Sequence, residues 1–391
     1  MRNLNKLIVF AVLVIFTNGV NAQDNPIITA APFLTITPDA KAGAMGDVGA
    51  ASSPDVYSQY WNPAKYIFSE NNSGIGISYT PWLNELVSDI FVGYVSGYYK
   101  INDRSALGSS LRYFGLGEIQ LTDDTGLGLG SINPNEFSFD ISYALKLDDR
   151  FSMAVGLRYI QSNIASAGGY NSADDVGPGR SVGVDIAGYY NSKEYKYKDF
   201  DGQWTFGWNV SNIGPKMAYN KNSEDEYFIP TNLRFGAGYK FKFDQYNVLN
   251  ISVDANKLLV PTPPIYSEDN PEEIVAGKDP NVGVIQGIFQ SFNDAPDGFS
   301  EEMKEIAWAF GAEYIYDDTF ALRGGYFHED ITKGARQYAT IGFGFNYNAI
   351  GLDFSYLIST SQVKSPLENT LRFSLTLDLG SFDLLGEEID E

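Results

Sequence analysis

From residue 73 onward, apolar and polar residues alternate along the chain. In Asn369–Gly380 the odd positions are Leu371, Phe373, Leu375, Leu377 and Leu379, with Arg372, Ser374, Thr376 and Asp378 between them. Glu136–Leu147 reads the same way, with Phe137, Phe139, Ile141, Tyr143, Leu145 and Leu147 set against Ser138, Asp140, Ser142 and Lys146. A strand sends successive side chains to opposite faces, so each run has one apolar and one polar face. Fourteen such runs are predicted, at 73–80, 88–99, 105–120, 136–147, 151–164, 180–192, 203–212, 230–242, 247–258, 306–316, 319–328, 336–348, 350–359 and 369–379. Many are longer than the ordinary strand of ~5–6 residues, and a tilted strand needs ~9–11 residues to cross a membrane. An even number of long alternating strands predicts an all-β fold, a transmembrane outer-membrane β-barrel of about 14 antiparallel strands, closed so that no edge faces lipid. A soluble β-sandwich is the competing architecture, and it would not account for the pattern of joints.

That pattern is itself regular. Joints after even-numbered runs are short and rich in Asn and Asp, as at Asn102-Asp103, Asp148-Asp149, Asp244 to Tyr246, Asp317-Asp318 and Asn348-Ala349; only 193–202 is longer. Asn and Asp tolerate left-handed backbone and bond locally, which suits tight turns. Joints after odd-numbered runs are longer, at 121–135, 165–179, 213–229 and 259–305. Short periplasmic turns opposite long outer loops are the habit of membrane barrels, so both termini are expected in the periplasm. Arg112, Arg158, Arg234, Arg323 and Arg372 share the polar face with Asp140, Asp185, Asp254, Asp353 and Asp378. A lipid-facing Arg or Lys costs ~2–4 kcal/mol at the midplane, so these residues are expected in the lumen as a mixed-sign network. Gly236, Gly238, Gly342 and Gly344 fall at lumen positions, where they make room for packing. The pairs Tyr98-Tyr99 and Tyr189-Tyr190 read as interfacial aromatic belts.

The first 22 residues are an address. Arg2 and Lys6 precede the apolar run Leu7 to Phe16, and Val20-Asn21-Ala22 supplies a small-residue cleavage site. This is the form of a secretory signal peptide, too short to span a bilayer. Composition narrows the chemistry further. The 391 residues carry 49 Asp+Glu against 27 Lys+Arg, a formal net charge of −22, so no nucleic-acid partner is expected. With no Cys and one His (His328), thiolate catalysis, zinc ribbons and His-rich metal sites are excluded. No cofactor, no metal and no catalytic residue is expected. A serine hydrolase would have to use His328 as its base, and one histidine at a barrel rim is better read as a packing residue. The run Gly126 to Gly130 lies in an outer loop without the strand–helix setting of a phosphate cradle.

Residues 23–70 lack the alternation and are rich in Ala, Gly and Pro, and are expected to form a periplasmic-side segment that folds inward as a hatch ahead of the barrel at 71–380. They contain Pro38-Asp39-Ala40-Lys41-Ala42-Gly43-Ala44-Met45-Gly46-Asp47 and Trp61-Asn62-Pro63-Ala64-Lys65. An Ala/Gly run followed by Asn62-Pro63-Ala64 ahead of fourteen strands resembles the long-chain fatty-acid transporter family of outer-membrane barrels. More specifically, these stretches resemble the PorV family, outer-membrane proteins of the type IX secretion system of Bacteroidetes. So do Tyr113 to Gly117, Asn256 to Pro263, Ser291 to Pro296, Gly325 to Glu329 and Pro366 to Ser374. The resemblance runs over nearly the whole mature chain and makes Asp39, Gly43, Gly46, Asp47, Asn62, Pro63 and Ala64 the hatch motif.

What the resemblance implies is not enzymatic. Barrels of this family take folded cargo from the type IX translocon barrel (SprA/Sov-like) through the cargo's C-terminal signal domain. They deliver it to a sortase attachment complex at the cell surface, and they occlude the translocon's lateral opening. The wider family implies an alternative, a channel for hydrophobic compounds, with a lipid- or detergent-sized pocket in the lumen or hatch and outer-membrane lipid around it. Only outer loops can meet emerging cargo, and 259–305 is the longest. Its apolar residues Ile285, Ile288, Phe289, Phe292, Phe299 and Met303 are the candidate cargo contacts, on a partly helical loop in which Ser300 caps a turn holding Glu301 and Glu302. The competing reading folds this loop back over the barrel mouth. The run Ser267 to Glu273 is acidic but lacks the spacing of a calcium loop. An acidic periplasmic tail, 381–391, follows the last strand in place of a terminal Phe.

Overall fold

The computed structural model describes residues 26–82, 89–122, 125–164, 177–219, 226–361 and 369–380. The predicted signal peptide and the acidic tail lie outside the described residues. Fourteen long strands are present: β1 (Ser73–Pro81), β2 (Ile90–Asn102), β3 (Ser105–Leu116), β4 (Asn135–Asp148), β5 (Phe151–Asn163), β6 (Gly179–Asn191) and β7 (Asp201–Ile213) form one half. The other half is β8 (Asn232–Lys242), β9 (Asn247–Leu258), β10 (Ile306–Tyr316), β11 (Phe320–His328), β12 (Gln337–Tyr347), β13 (Ile350–Ser359) and β14 (Leu371–Asp378). Each strand pairs antiparallel with its sequence neighbours, and β14 pairs back onto β1 from Gly74↔Asp378 to Tyr79↔Phe373, which closes the barrel. Closure leaves no unpaired edge for lipid to meet.

The alternation sorts side chains as predicted. On β4, Phe139, Ile141 and Tyr143 are exposed on the outside, while Ser138, Asp140 and Ser142 are buried inside. The short joints use local carboxamide and carboxylate bonds: Asn102 Oδ1 accepts from Arg104 N at 2.9 Å and Asp244 Oδ1 from Tyr246 N at 2.8 Å. Asp317, Asp318 and Asn348 sit at φ of 53, 49 and 52°, the left-handed backbone such turns require. Two sequence expectations differ in detail. The run 105–120 ends at Leu116, because Gly117 at φ 76° turns the chain away and Ile119–Thr122 pairs with Gly128–Ile132 as a separate loop hairpin. The tyrosine pairs are not both belt residues: Tyr99 and Tyr190 face outward, but Tyr98 stacks on Tyr66 at 4.7 Å and Tyr189 meets Phe68 at 5.6 Å inside the barrel. Period two sends adjacent residues to opposite faces, so an adjacent pair cannot share one belt.

Residues 27–68 lie inside the barrel and contain α1 (Ala40–Ala44), α2 (Ser58–Trp61) and the 3₁₀ turns Pro32–Thr35 and Pro63–Phe68. This luminal segment is not confined to the tight-turn end. It starts among the long loops, where Ala30 N donates to Phe228 O at 2.8 Å, and ends beside the tight turns, where Lys100 Nζ donates to Ser69 O at 2.9 Å. The wall is glycine where the segment presses closest. A Cβ on Gly342 would stand 2.5 Å from Ala44 Cβ, and one on Gly236 would stand 2.9 Å from Ala50 Cβ. Gly238 and Gly344 instead make room for wall side chains, Thr205 and the Arg323–Asp353 pair.

Adjacent glycines on β11 test this packing. A Cβ on Gly325 would overlap the Met45–Gly46 peptide, whereas the nearest atom to one on Gly324 is Thr340 O at 3.8 Å. Gly325→Ala should lower the temperature of the heat-induced mobility shift on a denaturing gel, at a cost of about 1–3 kcal/mol for overpacking. Gly324→Ala should leave it unchanged. Equal midpoints for the two variants would disprove the close packing.

Candidate functional site

The hatch-motif residues come together as fasteners between the luminal segment and the wall. Asp39 caps α1, accepting from Ala42 N at 2.8 Å, and its other oxygen accepts from the Trp61 indole at 2.6 Å. Gly43 lies against Arg372, whose Cδ would be 2.9 Å from a Cβ there. Gly46 (φ 68°) donates through its N–H to Thr340 Oγ1 at 2.9 Å, and the next residue, Asp47, accepts from the Tyr338 hydroxyl. Asn62 donates to Ala50 O at 2.9 Å and to Gly188 O at 3.0 Å, and accepts from Ala64 N at 3.1 Å. Pro63 opens the 3₁₀ turn, and Ala64 O accepts from Ser152 Oγ at 2.7 Å.

Two residues already noted in the sequence, Lys65 and Asp254, find partners that no local pattern indicated. Lys65 is buried and donates to Gly49 O at 2.9 Å and Ser52 Oγ at 3.1 Å. Asp254 Oδ2 accepts from both Gly49 N (2.7 Å) and Ala50 N (2.9 Å). The signals were present, as a Lys next to Asn-Pro-Ala and an Asp in mid-strand, but the pairing is long-range. The luminal charges form the expected mixed-sign network. Arg158 bonds Asp140 and stands 3.0 Å from Asp185, and Arg323 reaches Glu313 at 2.8 Å and Asp353 at 2.6 Å. Arg112 donates to Phe33 O (3.1 Å) and Leu34 O (3.0 Å), and Arg234 lies 4.3 Å over the Trp61 ring. A cavity of about 260 Å³ at the long-loop end includes Tyr60, Arg234, Lys333 and Arg336 in its lining. One of about 500 Å³ at the other end includes Lys41, Asp55, Glu70 and Asp378. Linings this charged do not suit an acyl chain.

The long loop 259–305 is ordered around a buried charge cluster. Lys257 Nζ lies 3.1 Å from Glu302 and 2.6 Å from Glu305, and Lys333 bonds Glu301 and stands 3.2 Å from Glu305. The loop carries α3 (Val284–Gln290) and α4 (Phe299–Lys304). Gly298, at φ 70°, takes the cap position of α4 that Ser300 was expected to fill. The first-turn carboxylates then bond backwards: Glu302 accepts from Asp294 N (2.7 Å) and Ala295 N (3.0 Å), Glu301 from Asp297 N (2.7 Å). On α3, Gly287 is buried against Phe228 and Pro261, while Ile285 and Phe289, four residues apart, are 62% and 73% exposed. Phe292 and Met303 are exposed, Phe299 is 79% exposed and Ile288 is half-buried. These side chains are therefore left accessible rather than packed on the barrel. The acidic run Ser267 to Glu273 forms the tip of a hairpin between Ile265–Tyr266 and Ile274–Ala276, and no metal-holding group of three side chains converges among the described residues. His328 ends β11 and stacks on Tyr326 at 6.4 Å.

Residues 19–265 match the family model described as "Type IX secretion system protein PorV". No curated protein matches the chain. Among solved structures, the Pseudomonas putida toluene transporter TodX is similar at 10% identity over 86% of this chain and 97% of its own, with a TM-score of 0.46. A Pseudomonas aeruginosa FadL homologue is similar at 11% identity over 88% and 99%, TM-score 0.42, and LpxR from Salmonella typhimurium at 8% over 78% and 99%, TM-score 0.33. Likeness at this level says nothing about a ligand or a reaction.

The base of the long loop has a pH response of its own. Burial, with Glu302 and Glu305 nearby, pushes the Asp294 carboxyl up to about 6. Burial would also raise Glu301, but bonds from Lys333 and Asp297 N–H outweigh it and hold that carboxyl below its usual range. The Asp294 pKa lies above its unfolded value, so its contribution to loop stability is full below about pH 4 and lost as pH rises through about 6. Glu301 acts in the opposite sense and loses its contribution as pH falls. Asp294→Asn should therefore slow proteolysis within 259–305 a few-fold at pH 7.5 and have little effect at pH 4. Equal cleavage rates at pH 7.5 would contradict this.

Proposed function

The chain belongs to the PorV family of type IX secretion system proteins, and from that premise we propose that it captures exported cargo on its long outer loop. In this reading the C-terminal signal domain of a cargo protein, leaving the type IX translocon barrel, docks on the apolar face formed by α3 and α4. The barrel then carries it to the sortase attachment complex. The observation that carries the reading is that Ile285, Phe289, Phe292, Phe299 and Met303 are held in the open by a loop whose base is clamped by buried ion pairs. An apolar face that costs solvation and is rigidly presented is the usual mark of a protein-binding surface. The luminal segment acts as a hatch that keeps the lumen shut while this happens.

The lumen weighs against a channel for hydrophobic compounds. It is crossed from end to end by residues 27–68 and walled by Arg158, Arg323, Asp140 and Asp353. An apolar solute moving through it would have to displace paired, desolvated charges. A lipid or detergent molecule, if one is held, is better accommodated on the outer wall than in the lumen.

The reading is tested by capture of a purified cargo signal domain on the detergent-solubilised barrel. Phe289→Asp and Phe299→Asp should each weaken capture roughly tenfold or more, as for central aromatic anchors. The heat-induced mobility shift should stay at the wild-type temperature, because both rings are exposed. Undiminished capture by the double variant would remove the loop from the interface.

A further inference from the structure

One joint on the tight-turn rim departs from the rest. Between β6 and β7 the chain spends residues 192–200 on a rim hairpin, in which Tyr195–Lys196 pairs with Asp201 and Gly202 and Tyr197 N donates to Phe200 O at 2.9 Å. Ser192 fastens its base, donating through N–H to Trp204 O at 2.9 Å and accepting at Oγ from Trp204 N at 2.9 Å. The other short joints end at the barrel rim.

The hairpin extends an aromatic surface that starts on the lipid-facing wall. Tyr197 stacks on Phe200 at 4.8 Å, and Phe200 meets Phe241 at 5.3 Å and Phe243 at 6.4 Å. From Phe241 the contacts run through Tyr239 and Trp204, both at 4.5 Å, to Phe206 at 6.1 Å and on to Tyr190 at 6.3 Å. Eight rings are thus continuous, whereas Tyr79–Phe91–Tyr113 elsewhere on the wall joins three. Gly202 lies beneath them; a Cβ there would overlap Tyr239 and stand 3.1 Å from Tyr197. Around the rings stand Lys193, Lys196 and Lys198, all exposed, with no carboxylate partner among the described residues. Lys193 Nζ lies 5.3 Å over the Tyr195 ring. Glu194 and Asp199 are exposed beside them and Asp201 is half-buried, so the hairpin is locally neutral in a chain of net charge −22.

We propose that this hairpin seats a zwitterionic phospholipid of the periplasmic leaflet, its phosphoethanolamine headgroup among the lysines and carboxylates and its chains along the rings. Tyr, Trp and Lys at the boundary of the apolar wall favour the membrane interface. The continuity of the rings with the lipid-facing wall makes lipid the occupant. The two signs of charge fit a phosphate and a primary ammonium together, where a purely basic patch would select an anionic headgroup.

The cysteine-free chain permits a direct test in vesicles containing phosphatidylethanolamine. A nitroxide on Tyr195→Cys should relax with oxygen more than with a water-soluble nickel chelate, and one on Asp103→Cys should show the reverse. Equal exposure of both labels to the chelate would make the hairpin an aqueous surface, free for a soluble protein partner, and overturn the assignment. In native mass spectrometry with equimolar phosphatidylethanolamine, phosphatidylcholine and phosphatidylglycerol, the wild type should retain the first. The triple variant Lys193→Ser, Lys196→Ser, Lys198→Ser should lose that preference several-fold. Preference for phosphatidylglycerol, or an unchanged preference in the variant, would overturn the headgroup assignment.

Discussion

An irregular chain can occupy a barrel lumen only if its backbone polar groups find partners there, because the strands have spent theirs on one another. The wall side chains meet that demand. Asp254 takes the N–H groups of Gly49 and Ala50, Thr340 takes that of Gly46, Ser374 Oγ takes that of Ala40 at 2.8 Å, and Arg112 takes the carbonyls of Phe33 and Leu34. Charge on the inner face therefore has two roles: it ties strands to each other through pairs such as Arg323–Asp353, and it holds the luminal segment. Glycine on the same face sets how near the segment can come. The choice of lumen over lipid for every buried Arg follows from the cost of the alternative.

The outer loop depends on the same strands. β9 carries Asp254, which holds the luminal segment, and three residues further on Lys257, which holds Glu302 and Glu305 at the base of the loop. β12 carries Tyr338, bonded to Asp47, close after Lys333 and Arg336 in the adjoining loop, where Arg336 pairs with Glu329 at 2.7 Å. Luminal segment and loop base are thus two ends of one set of fasteners. A loop held in this way keeps its apolar face presented without closing on itself. Such a loop would lose little conformational freedom on binding.

Much of this was legible in the sequence, for a physical reason. Period two is a local property, so the fourteen strands and the inward placement of Arg112, Arg158, Arg323 and Arg372 could be read from neighbours alone. The tight joints were legible because Asn and Asp act within three residues of themselves. What could not be read was pairing across distance. Nothing local in Trp61 names Asp39 as its acceptor, and nothing in Lys65 names the Gly49 carbonyl. The cap of α4 was misplaced because Ser300 fits the statistics of a cap, while Gly298 fits the positive φ that the chain needs there. The hatch motif was located by resemblance, but its roles as cap, acceptor and close-packed glycine required the partner strands.

The rim hairpin shows the same limit from the other side. Its length alone marked 193–202 as unusual. The register of β7 against β6 and β8 is what places Phe206 opposite Tyr190 and Trp204 opposite Tyr239. With that register, the rings on the hairpin continue a surface that already faces lipid. A one-residue slip would send Trp204 and Phe206 into the lumen and leave Tyr197 and Phe200 without their wall. The contrast with the outer loop is physical as well. Both present aromatic side chains, but those of the loop are carried on short helices whose base is clamped by buried ion pairs. Those of the hairpin extend the apolar wall itself. Position relative to the apolar wall, rather than composition, is what distinguishes the two aromatic surfaces of this barrel.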